Sequence, residues 1–287
     1  MDAVKRILIV DDDPLVHRLL ATVLEPHGWH IDSAYDGLAG WELARAQDYD
    51  LVLTDVHMPG LNGLDLLQRL HEVRPAAKVM VMTADSTPAH IIFAIRSQAF
   101  SYFSKPFAPT AVAEMIARAL DAPTWEDDME VVSARPEWIT LRVRCKMAVA
   151  DRILQFLREL KMDLPAAERD DIASAFREML LNAIEHGGGS NPRKRVQVTY
   201  VRTSRAILYH VQDPGRGFSM ASLPHAAVSS PDDPFRHAAV RAEMGLRPGG
   251  FGILLTGKLV DELLYNEKGN EVLLIKYLPD PAGSPGR

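Results

Sequence analysis

The sequence predicts an α/β fold with a doubly wound parallel sheet, followed by an α+β domain of two layers. Its 287 residues are too many for one ordinary core and suit two domains. In the first part, short apolar runs alternate with segments that repeat apolar residues at helical spacing. Buried strands are predicted for RILIV (6–10), LVLTD (51–55) and KVMVMT (78–83). Strands and helices that alternate in this way form a parallel sheet with right-handed crossovers.

The second part of the chain has a different order of elements. WITLRVRC alternates as a strand, amphipathic helices are predicted at 147–160 and 168–186, and RVQVTYV and AILYHVQD form a strand pair. A glycine-led helix at 247–263 and the strand NEVLLIKYL complete an α+β layer. The acid-rich, proline-bearing stretch after the helix at 110–120 is interpreted as a linker. The predicted limits are a first domain at 1–121, a linker at 122–136, a second domain at 137–279 and a disordered tail at 280–287.

Composition restricts the class of protein. A net charge of −6 argues against a broad nucleic-acid-binding face. The single cysteine, Cys145, excludes an intramolecular disulfide and a cysteine-based zinc cluster, and it suits a reducing compartment. The N-terminus lacks the apolar core of a signal peptide, and no apolar run approaches membrane-spanning length. We therefore expect a cytoplasmic protein that contacts neither nucleic acid nor membrane directly.

Acidic residues lie where two predicted strands end. Asp11 and Asp12 follow the first strand, and Asp55 ends the strand at 51–55. Ligands bind outside the carboxyl ends of the strands in open α/β sheets, so these carboxylates should meet there and need a cation such as Mg²⁺. Thr83 supplies a hydroxyl and Lys105 an ammonium at neighbouring strand ends. This set predicts transfer of a phosphoryl group onto Asp55.

The first part resembles the response regulator receiver domain over residues 4 to 121. VDD, TDVHMPGLNG, MTAD and YFSKPF occur in order and at the spacing of that family. The resemblance implies an upstream histidine kinase as the partner of the receiver. It also implies that Gln98, which stands where the family usually has glycine, alters the approach of the last strand. Its implied roles are phosphoacceptor for Asp55, metal ligands for Asp11, Asp12, Asp55 and the main-chain carbonyl of His57, switch hydroxyl for Thr83, phosphate contact for Lys105 and switch aromatic for Tyr102.

Three segments of the second part predict a nucleotide site. In FREMLLNAIEHGGG (176–189), Phe176, Leu180 and Ala183 form an apolar face, and polar residues lie on a neighbouring strip. QDPGRGF (212–218) ends a strand with an acid and two glycines. RPGGFGILLTGKLVDEL begins a helix with glycines, which let backbone N–H groups approach an anion. This glycine-led segment lacks the Lys-Ser/Thr that ends a P-loop, and it lacks the βαβ unit in which a Rossmann fingerprint occurs.

These segments resemble the ATP-binding fold shared by gyrase, histidine kinases and MutL, and within it the anti-sigma-factor serine kinases, over residues 137 to 279. The resemblance implies ATP and Mg²⁺ as ligands. Glu178 is implied as general base, while Glu185 is interpreted as a solvated charge. The implied ligand-binding residues are Asn182 for Mg²⁺, His186 for the helix end or a phosphate, Asp213 for adenine, Gly215 and Gly217 for passage of the chain beside the nucleotide, and Gly249, Gly250 and Gly252 for the triphosphate.

Three functions stay open at this point. The leading hypothesis is a response regulator whose Asp55 phosphorylation controls a protein serine/threonine kinase acting on a STAS-type anti-sigma antagonist. The second is a phosphorylation-gated anti-sigma factor or adaptor that binds ATP and sequesters a sigma factor or another partner. The third is the catalytic part of a split histidine kinase, since no histidine lies between residues 108 and 185 to accept phosphate in cis. The resemblance to the anti-sigma-factor serine kinases also implies a homodimer, because the strand and helix that open the domain often support dimerisation in that family.

Overall fold

In the computed structural model, the described residues are 4–84, 87–121, 128–160, 164–218 and 252–279. The chain divides into two compact units. The first comprises 1–127 with 155–161, and the second comprises 128–154 with 162–287. Several sequence predictions concern residues outside the described ranges, namely Gly249, Gly250 and the tail at 280–287.

The first unit is built on five parallel strands in the order β2-β1-β3-β4-β5. The central strands are buried along their length because helices cover both faces of such a sheet. The predicted doubly wound α/β fold is therefore confirmed. The strands are β1 (Arg6–Val10), β2 (His30–Ala34), β3 (Leu51–Asp55), β4 (Val79–Thr83) and β5 (Ser101–Ser104), and the helices are α1 (Pro14–Leu24), α2 (Gly37–Ala46), α3 (Gly63–Val73), α4 (Pro88–Arg96) and α5 (Pro109–Asp121).

Apolar side chains of alternate strand positions form the core beneath α1 and α5. Ile9 and Leu53 on the strands pack in one cluster with Leu20 of α1 and Ile116 of α5. All four side chains are fully buried. The helical spacing of apolar residues in the sequence thus corresponds to the faces that cover the sheet.

Gln98 ends α4 in the left-handed conformation, with φ of 57°. The Ala99 N–H donates to the Ala94 carbonyl at 2.8 Å, and the Gln98 N–H donates to the Ile95 carbonyl at 3.1 Å. This pair of bonds is a Schellman motif, in which the residue occupied here by Gln98 is usually glycine. β5 nevertheless pairs with β4 in a regular parallel register. The substitution for glycine therefore strains the helix end and leaves the strand pairing regular.

The second unit contains a six-stranded antiparallel sheet in the order β10-β11-β9-β8-β7-β6. Helices pack on one face of this sheet, where Phe176 contacts Tyr209 with ring centroids 4.6 Å apart. The predicted α+β layer is confirmed. Its strands are β6 (Met129–Arg135), β7 (Trp138–Arg144), β8 (Arg195–Arg202), β9 (Ala206–Gln212), β10 (Glu262–Tyr265) and β11 (Glu271–Tyr277). Its helices are α6 (Met147–Glu159, of which residues 147–154 belong to this unit), α7 (Ala166–Asn182) and α8 (Gly252–Leu259).

Two strands differ from the sequence interpretation. β6 lies within the stretch interpreted as linker, and a bulge between Val131 and Ser133 interrupts its alternation. The glycine-led helix was expected to reach residue 263, but it ends at Leu259, and β10 follows at Glu262. Pairing of Leu263 with Leu274 and of Tyr265 with Val272 draws these residues into the sheet. No described helix is long and apolar enough to cross a membrane.

Candidate functional sites

The first site lies at the carboxyl edge of the parallel sheet. Asp11 directly follows β1, Asp55 ends β3, Thr83 ends β4 and Lys105 follows β5. The Lys105 Nζ lies 2.6 Å from Asp11 Oδ2 and 2.5 Å from Asp55 Oδ1. Asp11, Asp55 and Thr83 are buried. The fold therefore brings together the two acids and the ammonium that the sequence placed at separate strand ends, and the Lys105 N–H donates to the Thr83 carbonyl at 2.6 Å.

Two buried carboxylates share one ammonium in this site. Burial raises the pKa of Asp11, and the hydrogen bond from Lys105 only partly offsets that effect. Burial also opposes the charge of Lys105, but the hydrogen bonds to Asp11 and Asp55 outweigh it and raise the pKa of that ammonium. The net negative charge suits a divalent cation with oxygen ligands.

The structure does not bring all the predicted side-chain ligands of Mg²⁺ into one group. Asp12 is exposed, whereas Asp11 and Asp55 are buried. Within the described ranges, no three His, Cys, Asp or Glu side chains form a group that could hold a metal ion. The roles of Asp12 and of the His57 carbonyl as Mg²⁺ ligands therefore stay predictions.

Backbone groups fix the orientation of Asp55. The His57 N–H donates to Asp55 Oδ2 at 2.6 Å, whereas Lys105 contacts Asp55 Oδ1, so each carboxylate oxygen has its own partner. A side chain at Gly63 would overlap the Asp55 carbonyl, which explains why α3 begins with glycine.

His17, which the sequence interpretation missed, lies behind the site with its Nε2 2.8 Å from the Asp11 carbonyl oxygen. Tyr102, the predicted switch aromatic, is fully buried.

The second site begins on α7. Phe176, Leu180 and Ala183 are buried as the apolar spacing predicted. Glu178 and Asn182 are half-buried, whereas Glu185 and His186 are exposed. After Asn182 the helix widens into a π turn at Ala183–Gly187, where the Gly188 N–H donates to the Ala183 carbonyl at 2.8 Å. Such wide turns are frequent at functional sites.

Gly187 contacts Asp213, the acid that follows β9. A side chain at Gly187 would overlap the Asp213 carboxylate, and the Gly215 N–H donates to Asp213 Oδ1 at 2.7 Å. The π turn ends at Gly187, and the next glycine with positive φ is Gly189, at 65°. Burial raises the pKa of Asp213 despite the Gly215 N–H.

Cys145 lies beside the same turn. It is fully buried just after β7, and a side chain at Gly188 would overlap its Sγ. Burial raises the pKa of the Cys145 thiol. No sequence pattern predicts this contact, because Cys145 and Gly188 belong to segments that meet only in the folded domain.

Gly217 has a structural role in addition to its predicted one. Its φ is 76°, and a side chain there would overlap the Lys268 carbonyl. The turn that carries Lys268 is fastened by Asn266, whose Oδ1 accepts the Gly269 N–H at 2.8 Å and the Asn270 N–H at 3.1 Å. The Asn270 Nδ2 donates to the Asp213 carbonyl at 3.2 Å. The glycine turn is therefore held by the loop before β11, and its contact with a nucleotide stays a prediction.

Glu178 and Gly252 meet where α8 begins. A side chain at Gly252 would overlap Glu178 Oε1, so the absence of one lets the carboxylate lie against the first turn of α8. Burial raises the pKa of Tyr265 far above its usual range, and the charge of Glu178 adds to this effect. The fold thus joins the predicted general base to the predicted phosphate cradle. Gly249 and Gly250, the other two members of the cradle, lie outside the described residues.

Family models match both parts of the chain. The model for the response regulator receiver domain matches residues 7–117. The model for the histidine kinase-like ATPase domain matches residues 143–276. The order of the two matches agrees with the two resemblances drawn from the sequence motifs.

Curated relatives and solved structures resemble part of the chain. The DNA-binding transcriptional regulator NtrC of Rhizobium meliloti (strain 1021) is 38% identical over 117 residues, which are 41% of this chain and 24% of that protein. The probable transcriptional regulatory protein SilR of Salmonella typhimurium is 36% identical over 113 residues, which are 39% of this chain and 48% of that protein. This chain thus spans less than half the length of either relative. A CheY-like receiver domain protein from Methanospirillum hungatei JF-1 is 30% identical, with a TM-score of 0.41, over 42% of this chain and 95% of its own.

Proposed function

This chain joins a response regulator receiver domain to a histidine kinase-like ATPase domain, and we propose that phosphorylation of Asp55 in the first controls a protein serine/threonine kinase in the second. In this proposal the protein is cytoplasmic, both sites bind Mg²⁺, and ATP is the phosphoryl donor of the kinase. The main support for the proposal is the contact between Glu178 and Gly252, because it places a carboxylate beside the start of the glycine-led helix.

The receiver site has the groups needed to accept phosphate. A carboxylate oxygen of Asp55 would form a bond to the phosphorus of a phosphohistidine on the upstream kinase, and the phosphorus–nitrogen bond would break. Lys105, which contacts Asp55 Oδ1, would then stabilise the charge of the transferred group. Mg²⁺ held by the acidic residues would neutralise further charge on the phosphoryl oxygens.

The ATPase site supports transfer to a hydroxyl group. Glu178 would accept the proton of a partner serine or threonine as the hydroxyl oxygen forms a bond to the γ-phosphorus of ATP. The bond between that phosphorus and the bridging oxygen would break, and ADP would leave. The amide oxygen of Asn182, one turn beyond Glu178, would hold Mg²⁺, and the Asp213 carboxylate would accept a hydrogen bond from adenine.

The proposed substrate is a STAS-type anti-sigma antagonist, and a sigma factor is a further candidate partner. NtrC is named as a DNA-binding regulator, but its matched segment covers only 24% of that protein. In this chain, residues 143–276 match an ATPase domain. We therefore propose protein phosphorylation as the output of the receiver.

The test compares carboxylates on one helical segment. Glu178→Gln should lower phosphate transfer to a STAS-domain substrate at least about 100-fold, because a general base contributes roughly that factor or more. Its ATP affinity should change little. Glu185→Gln is the matched control and should transfer normally, since Glu185 is exposed. Asn182→Ala should lose ATP binding as well as transfer.

Radiolabelled ATP with the full chain, with and without acetyl phosphate to load Asp55, gives the readout. Acid-stable label on serine or threonine supports the kinase, and acid-labile label on a partner histidine supports a split histidine kinase instead. If Glu178→Gln retains partner control while Asn182→Ala loses it, the protein acts by ATP-dependent sequestration. Absence of transfer to every STAS-domain substrate, in both states of Asp55, contradicts the kinase proposal.

A further inference from the structure

Two asparagines in the turn before β11 hold the segment that follows β9. Asn270 is buried, and its Nδ2 donates to the Asp213 carbonyl oxygen at 3.2 Å. The Asp213 N–H donates in turn to the Asn270 carbonyl at 3.0 Å. The Asn266 Nδ2 donates to Asn270 Oδ1 at 3.0 Å, which fixes the Asn270 amide with its Nδ2 towards Asp213. We call Asn266 and Asn270 the asparagine clamp.

The peptide between Asp213 and Pro214 depends on this clamp. Proline has no backbone N–H, so the Asp213 carbonyl is the one group of that peptide that can form a conventional hydrogen bond. The bond from Asn270 therefore sets the plane of the peptide. The chain continues into Gly215, whose N–H donates to Asp213 Oδ1 at 2.7 Å. The clamp thus acts on the backbone that carries the Asp213 carboxylate and on the loop that holds one of its oxygens.

Asn266 ties the clamp to the edge of the sheet. Its Oδ1 accepts three backbone N–H groups, from Gly269 at 2.8 Å, Asn270 at 3.1 Å and Glu271 at 3.2 Å. Glu271 begins β11 and pairs with Gln212 at the end of β9. The clamp is therefore anchored on paired strands, as a group that must hold another in one direction needs to be.

The far end of the same segment is held by close backbone packing. A side chain at Gly217 would overlap the Lys268 carbonyl, and one at Gly269 would overlap the Phe218 carbonyl. The segment from Asp213 to Phe218 is thus fixed sterically at one end and by the asparagine clamp at the other. Only the second of these restraints bears directly on the Asp213 peptide groups.

The Asp213 carboxylate keeps one oxygen for a ligand. Oδ1 accepts the Gly215 N–H, whereas no hydrogen bond from another described residue reaches Oδ2. An ionised carboxylate oxygen accepts but does not donate, so Oδ2 suits an exocyclic amino group such as that of adenine. Guanine has a carbonyl oxygen at the equivalent ring position, which the carboxylate repels. The direction of this single oxygen therefore distinguishes the two bases.

We propose that Asn270 is a positioning residue that sets the base selectivity of the nucleotide site, with Asn266 as its support. Asn270 acts through the Asp213 backbone and does not need to contact the base. The inference rests on the proposed adenine contact of Asp213 and adds the group that directs this contact. Without the Asn270 donor, the Asp213–Pro214 peptide can rotate and Oδ2 no longer meets the adenine amino group squarely. Guanine makes no such bond and has little to lose.

The experiment measures ATP and GTP affinities of the full chain by competition with a fluorescent ATP analogue in the presence of Mg²⁺. The unmodified chain should bind ATP at least about 100-fold more tightly than GTP, because a site built to bond an amino group rejects an analogue that lacks it. Asn270→Asp removes the donor to Asp213 but keeps the oxygen that accepts from Asn266. This variant should bind ATP about tenfold more weakly than it would with the donor, and its ATP-to-GTP affinity ratio should fall by about the same factor.

The affinity ratio separates positioning from other effects of the substitution. The added negative charge repels the phosphates of both nucleotides equally, so it cancels in the ratio. Asn191→Asp is the matched control, because Asn191 is exposed in the same unit and its Oδ1 accepts the Arg193 N–H at 2.9 Å, a bond that aspartate retains. This control should keep the ratio of the unmodified chain. Circular dichroism checks that each variant is folded.

A second clamp variant keeps the test decisive if Asn270→Asp does not fold. Asn266→Asp retains the oxygen that accepts the three backbone N–H groups and loses only the donor to Asn270 Oδ1. Its ATP-to-GTP affinity ratio should fall at least about threefold, because the Asn270 amide is then no longer held in one orientation.

Asp213→Asn distinguishes failure of this inference from failure of the proposed function. If Asp213→Asn lowers the affinity ratio but folded Asn270→Asp keeps it, Asp213 reads the base without help and the positioning role is wrong. Equal weakening of ATP and GTP by both clamp variants also overturns it, because the clamp would then support only the fold of the site. If Asp213→Asn keeps the ratio, or the unmodified chain binds neither nucleotide, the adenine contact itself is wrong and the inference fails with it. None of these measurements requires a protein substrate.

Discussion

Gln98 ends α4 in a backbone conformation that favours glycine, so Gln98→Gly should stabilise the first unit. Its φ of 57° places a side chain in the left-handed region, which costs roughly 1–2 kcal/mol for a residue other than glycine. Glycine also raises the conformational entropy of the unfolded chain, which cancels about 0.5–1 kcal/mol of this stabilisation. The bonds from Gln98 and Ala99 to the preceding turn are made by backbone N–H groups and remain in the variant. The expected net gain is about 0.5–1 kcal/mol.

Native-state hydrogen exchange of the full chain reads this gain without separating the domains. Amides of β4 and β5, which flank α4 in sequence, should exchange about two- to fivefold more slowly in the variant. Gln68→Gly is the matched control, because Gln68 lies inside α3 and is exposed. Glycine there should destabilise the helix by about 1 kcal/mol, so Gln68→Gly should speed amide exchange whereas Gln98→Gly slows it.

Faster exchange in Gln98→Gly than in the unmodified chain would refute the assignment of strain to this position. It would mean that contacts of the Gln98 side chain are worth more than the cost of the left-handed backbone. An equal effect of Gln98→Gly and Gln68→Gly would likewise contradict the role of φ, since both variants change the unfolded chain in the same way.

Two further predictions concern the two sites. Asp55→Asn should abolish labelling by acetyl phosphate. It should also stabilise the first unit by about 1 kcal/mol at pH 7, because Lys105 then neutralises Asp11 alone. Unchanged or lower stability in chemical denaturation would contradict the charge argument. Gly252→Ala should displace the flexible Glu178 carboxylate and lower phosphate transfer about 100-fold in a folded protein. Gly257→Ala, where a side chain would make only an ordinary contact with Leu263 at 4.0 Å, should transfer normally and gain up to about 1 kcal/mol of stability. Equal transfer by both variants would rule out this role of Gly252.

Strands and helices with strong periodicity were predictable from the sequence. β1 and β3 begin and end where the apolar runs do, and β4 differs by one residue. The carboxyl-edge site was predictable for a topological reason. Parallel strands end at the same side of the sheet, so residues such as Asp55 and Lys105 must approach one another. β6 was not predictable, because a bulge breaks its alternation and the sheet decides its pairing.

The sequence by itself predicted which residues could carry the chemistry of each site, and it determined which faces of the helices are buried. Only the tertiary structure decided which of those residues meet, as Gly187 meets Asp213 and Gly252 meets Glu178. Periodicity records the environment of a residue along its own helix or strand, whereas close approach between segments depends on how the whole chain packs.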